Sequence, residues 1–77
     1  MMELMRQIIR QLVDNPDAVE LEEKVFERGV VYAVKVAPDD VGKVIGRDGR
    51  LINSLRMLMR SAPAPRRGMR YTIDIEN

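Results

Sequence analysis

The chain has 77 residues, 45% of them apolar and 32% charged, and 13 lysines and arginines against 12 acids leave a formal charge of +1. A chain of this size is expected to form one domain, residues 1–77, that buries about 60% of its unfolded surface and leaves little room for a deep catalytic cavity. It contains no cysteine and no histidine, which excludes disulfides and removes both the usual zinc ligands and the commonest general base at neutral pH.

Residues 2–13 place Met2, Met5, Ile8, Ile9, Leu12 and Val13 at helical spacing, one buried stripe on an otherwise polar helix. This opening stretch is charged throughout, unlike a signal peptide, and no run of about 18 apolar residues follows that could cross a bilayer. A cytoplasmic protein with no membrane contact, metal, cofactor or small-molecule substrate is expected. Asp14-Asn15-Pro16 stops the helix, because proline disfavours a helical residue before it. Two β-rich runs come next, residues 19–27 and 30–37, joined by a turn at Arg28-Gly29. The first alternates poorly and reads as an edge strand. In the second, Val30, Tyr32, Val34 and Val36 share one face, with Val31, Ala33 and Lys35 on the other.

Ala37-Pro38-Asp39-Asp40 breaks the strand, and either Asp39 or Asp40 can cap a short helix over residues 41–45. A second helix is expected over residues 50–62, burying Leu51, Ile52, Leu55, Leu58 and Met59. Two prolines make residues 61–68 a loop. The last run alternates cleanly, with Met69, Tyr71, Ile73 and Ile75 inward and Arg70, Thr72, Asp74 and Glu76 outward, a strand. The order is α-β-β-α-α-β, an α+β fold in which all three helices cover one face of a three-stranded mixed sheet.

Charge is segregated along this order. Residues 1–28 hold seven acids and four bases, whereas residues 43–70 hold eight bases, Lys43, Arg47, Arg50, Arg56, Arg60, Arg66, Arg67 and Arg70, with Asp48 as the sole acid. That imbalance fits either a face for a polyanion or a solvated, arginine-rich helix surface. Within the basic stretch lies Val44-Ile45-Gly46-Arg47-Asp48-Gly49-Arg50-Leu51-Ile52. Each glycine costs a helix about 1 kcal/mol relative to alanine, so the pair marks a turn between two helices rather than helix interior. Gly46 suits a helix C-terminus that needs positive φ. Gly49 opens the next helix, whose unpaired amides and partial positive charge can hold a phosphate if no side chain stands in the way. Lys43, Arg47 and Arg50 supply charge around it. Alternatively, Gly46 is a plain C-cap and Gly49 eases helix packing. Replacing both glycines with aspartate is expected to abolish binding while the fold persists.

These residues, in this element order, resemble a KH domain of the type II arrangement, and the chain is similar over its whole length to the small bacterial KH-only RNA-binding family called KhpA. The resemblance implies single-stranded RNA binding, with a GXXG loop that clamps the backbone of about four nucleotides. Carried onto this chain, the clamp is Gly46, Arg47, Asp48 and Gly49, flanked by Lys43 and Arg50. Ile45 and Ile52 would floor a base groove, with Val41 beside them and Val44 and Leu55 given to the core. Arg66 and Arg67 would flank the groove or extend the phosphate track. Asp48 departs from the basic or neutral residue common in such loops, and is expected to cap the second helix and point aside. The resemblance also implies an RNA chaperone with roles in cell shape and cell wall organization, self-association into a homodimer, and pairing with a larger KH protein of the Jag/KhpB type.

Other classes fit less well. A DNA-binding helix-turn-helix would use residues 50–60 as its recognition helix, but its first helix would be one turn long. A protein-interaction subunit of a ribonucleoprotein would use exposed Met57 or the methionines of the first helix. Catalysis has no histidine, cysteine or phosphate-loop spacing to rest on.

Overall fold

The computed structural model describes residues 1–61 and 68–76. Arg66 and Arg67, most of the expected 61–68 loop, and Ala62 at the expected helix end lie outside the described residues. Helix α1, Met2–Leu12, turns Met5 and Ile9 fully inward. It ends one residue before its apolar pattern does. Val13 is already extended (φ −102°, ψ 159°), yet it still reaches the core. A single 3₁₀ turn at Pro16–Ala18 leads into strand β1, Glu20–Phe26, and β2, Gly29–Lys35, which pair antiparallel. The turn is one residue earlier than the sequence suggests, since Gly29 already pairs with Phe26.

Strand β2 continues through a 3₁₀ turn, Pro38–Asp40, into helices α2, Val41–Ile45, and α3, Arg50–Arg60, and then strand β3, Arg70–Ile75. The sheet order is β1-β2-β3, with β3 parallel to β2. The sheet is therefore mixed, and β1 is an edge strand, as the sequence implies. A parallel pair needs a crossover of a dozen or more residues, and α2 and α3 provide it. Residues 46–49 thus interrupt the crossover between its two helices.

One core joins the three helices to the sheet: Met5 and Ile9 from α1, Val44 from α2, Ile52, Leu55 and Met59 from α3, against Val30, Tyr32, Val34, Val36 and Ile73. Fully burying side chains of this kind stabilises by about 1.5–3 kcal/mol each. Tyr32 is buried and Tyr71 half-buried, their ring centroids 5.7 Å apart at 40°. Among the described residues, the other sheet face carries no helix in contact with it through this core. There β2 places Ala33, buried between the polar side chains of its neighbours; Lys24 reaches across to Glu76 at 3.5 Å. Among the described residues, no helix is long and apolar enough to cross a membrane.

Candidate functional site

Residues 46–49 form a tight turn whose two glycines are required for different reasons. Gly46 has φ 77° and ψ 174°, a combination open essentially to glycine alone. A Cβ there would stand 2.5 Å from the Leu51 Cβ and 2.9 Å from the Leu51 amide nitrogen. Any side chain at Gly46 must displace the start of α3, so the expectation that aspartate at both glycines would leave the fold intact is corrected. Gly49 is left-handed (φ 74°, ψ 12°), but a Cβ there would meet only the Asn53 Nδ2, at 3.8 Å. Its requirement is conformational, and asparagine or aspartate can meet it.

Asp48 is itself left-handed (φ 55°, ψ 26°), a conformation that aspartate tolerates better than most residues. It does not cap α3, contrary to the sequence expectation: Gly49 occupies the N-cap position, and no side chain bonds to the first-turn amides there. The turn is held by its backbone instead. The Gly46 N–H donates to the Gly42 carbonyl at 2.9 Å, and the Gly49 N–H to the Gly46 carbonyl at 3.2 Å. Arg47 and Asp48 are exposed and the glycines half-buried, so no other part of the described chain covers the turn.

The charges before the turn behave differently from those on it. Asp40 does sit at the N-cap position of α2, but its carboxylate makes no cap bond. It accepts the N–H groups of Asp14 and Asn15, at 3.2 and 3.0 Å, fastening the exit of α1 to the entry of α2. Only 2% of Asp40 is exposed. Burial opposes its charge, but the two N–H donors and the Lys43 ammonium outweigh that, so the carboxyl titrates below the ordinary aspartate range. Lys43 is drawn into the same corner. Its Nζ bonds the Asp14 carboxylate and lies 3.3 Å from Asp40 Oδ1. The Asp14 bond in particular holds the ammonium above the usual lysine value, against the smaller opposing effect of burial.

By contrast, Arg47 and Arg50 form no ion pair among the described residues. Both are exposed, one within the turn and one at the first position of α3. Next to them opens a cleft of about 410 Å³ lined by Ile45, Ile52, Arg56, Asp74, Ile75 and Glu76. Ile45 immediately precedes Gly46, and Ile52 lies in the first turn of α3, so the cleft begins where the turn ends. Val44 and Leu55 belong to the core, and Val41 packs against it.

The structure therefore brings Ile45, Gly46, Arg47, Asp48, Gly49, Arg50 and Ile52 together and directs Lys43 elsewhere. It adds a wall that the sequence reading omitted, made of Arg56 and residues 74–76. Arg56 Nε donates to the Ile73 carbonyl at 3.2 Å, and its Nη2 lies 3.4 Å from Asp74 Oδ1, which fixes α3 along the free edge of β3. The signals available were the four-residue step from Ile52 to Arg56, which puts both on one helix face, and the inward register of Ile75.

Comparison with known proteins gives a consistent result. The family model described as "KhpA/KhpB, KH domain" matches residues 2–75. The chain is 47% identical over 60 residues to the RNA-binding protein KhpA of Caldanaerobacter subterraneus subsp. tengcongensis, covering 78% of this chain and 80% of that one. It is 37% identical over 75 residues to the RNA-binding protein KhpA of Clostridium acetobutylicum, covering 97% and 99%. The protein of the same name from Streptomyces coelicolor is 44% identical over 57 residues, covering 74% and 72%. No solved structure gives a significant match.

Proposed function

The chain belongs to the KhpA/KhpB family of KH domains, and from that premise we propose that it binds single-stranded RNA through the turn at residues 46–49 and the adjoining cleft. The backbone of about four nucleotides runs over Gly46-Arg47-Asp48-Gly49, where the first-turn amides of α3 face a phosphate. Arg47 and Arg50 add charge, and unstacked bases enter the cleft over Ile45, Ile52 and Ile75. The observation that carries this reading is the conjunction, among the described residues, of an exposed turn with a glycine at each end, two unpaired arginines and a cleft with apolar residues in its lining. The five residues of α2 make a short first helix for a DNA-reading pair, which favours a single strand over duplex. A second KH domain, such as the other member of the family's name, would add nucleotides to those read here. On this reading the chain is a binding module rather than an enzyme.

Arg47→Asp tests the proposal, because it places a second acid beside Asp48 at an exposed position. Affinity for a short uridine-rich RNA, measured by fluorescence anisotropy at fixed salt, should fall about tenfold or more, with the thermal midpoint unchanged. Wild-type affinity in the folded variant would overturn the assignment.

A further inference from the structure

A second basic cleft lies at the opposite end of α3 from the turn. It has a volume of about 380 Å³, and its lining includes Phe26, Arg28, Gly29, Arg60, Arg70 and Thr72. The pairing registers explain its shape. Phe26 stands opposite Gly29, and Gly29 opposite Arg70, so these three residues form one row across the sheet, on the face away from the helical core. The middle position has no side chain and can accept none, since a Cβ on Gly29 would stand 2.9 Å from the Arg70 carbonyl oxygen. The row is therefore a slot, with an aromatic ring on one side and a guanidinium on the other. Phe26 is 57% exposed among the described residues.

The charge around the slot is unbalanced. Arg28, Arg60 and Arg70 form no ion pair among the described residues, and the sequence of residues 62–67 contains no acid that could supply one. Among the described residues no carboxylate lines the cleft; Glu27, between Phe26 and Arg28, is exposed outside it. Three unpaired arginines beside an exposed aromatic ring and a side-chain-free floor match the chemistry of a single strand, a flat base beside each phosphate. An aliphatic partner would leave the guanidinium groups without acceptors.

We propose that this cleft is a second RNA contact, in which a base stacks on Phe26 over Gly29 while Arg28, Arg60 and Arg70 hold the neighbouring phosphates. The inference rests on the RNA-binding reading of the turn and extends it. The strand leaves the groove and follows α3, whose 11 residues span about 16 Å, to this site. RNA a few nucleotides longer than the groove accommodates should therefore bind more tightly for a reason local to Phe26.

The test compares RNA of about four nucleotides with RNA of about ten, using uridine-rich strands and chemical-shift titration of the full chain. Phe26→Ala should weaken binding of the longer strand about fivefold or more and leave the shorter one unchanged. Phe26→Trp should restore it, and unchanged binding of the shorter strand by Phe26→Ala shows that the variant is folded. Arg70→Gln should lower the salt slope for the longer strand by about 0.7. Wild-type binding of the longer strand by folded Phe26→Ala would assign the cleft to another occupant, such as an acidic protein, and overturn the inference. An equal loss for both strand lengths would overturn it too. Arg47→Asp in the same series separates the two readings, because an unaffected Arg47→Asp variant rejects the turn and not the slot.

Discussion

Two charged regions lie within ten residues of each other on the crossover, and they have opposite fates. At the corner of α1 and α2, Asp40 is buried, and it is partnered by Lys43 and two backbone amides, with Lys43 also paired to Asp14. At the turn, Arg47, Asp48 and Arg50 are exposed and unpaired among the described residues. Both regions carry acids and bases at helix starts, and by composition alone either could be a cap or an anion site. Partnering separates them. A charge already satisfied within the fold has little left to offer a ligand, whereas an unpaired one retains its field for whatever approaches.

This contrast can be broken at its ends. The largest effect should come from Gly46→Ala, which strains the turn and presses on Leu51. Stability should fall by about 2 kcal/mol or more, read from urea unfolding, while Gly49→Asn stays near wild type. Equal losses would mean that the two glycines serve the same need. Next, Asp40→Ala leaves the Asp14 and Asn15 amides without their acceptor. The thermal midpoint should drop by roughly 5 °C, with RNA affinity little changed at temperatures where the variant is folded. The same carboxylate gives the contrast a pH signature. Because Asp40 is held below its ordinary value, its stabilisation is complete above about pH 4 and is lost as pH falls through the depressed value. The wild type should lose midpoint over that acid range, and Asp40→Ala should lose less. A wild type no more acid-sensitive than the variant would remove the staple. Smallest of all, Arg50→Gln should lower the log–log salt slope of RNA binding by about 0.7, and Lys43→Gln should leave it unchanged. A slope change at Lys43 would show that the corner opens to bind.

Much of the fold follows from local pattern. Tyr71, Ile73 and Ile75 alternate, as do Val30, Tyr32 and Val34, and both sets face the helices in the structure. The turn was legible because two glycines so close together have few uses inside a helix. The role of Asp40 was not, because the N–H donors it accepts from lie 25 and 26 residues away and no local rule connects them. Asp48 was misjudged for a related reason. Capping preference describes a residue type, but here the backbone assigns the cap to Gly49 and leaves Asp48 in a left-handed conformation. The wall of Arg56 and residues 74–76 required knowing which edge α3 lies along. The slot over Gly29 required the parallel register of β3, which no single strand records.

That parallel register has a kinetic implication. The hairpin of β1 and β2 joins neighbours in sequence and can close early, whereas β3 must wait until the entire two-helix connection has collapsed onto the sheet. Asp74, Ile75 and Glu76 form one side of the cleft, and Arg70 one side of the slot. Neither surface is complete in a molecule whose final pairing is still open, so both clefts depend on the docking of β3.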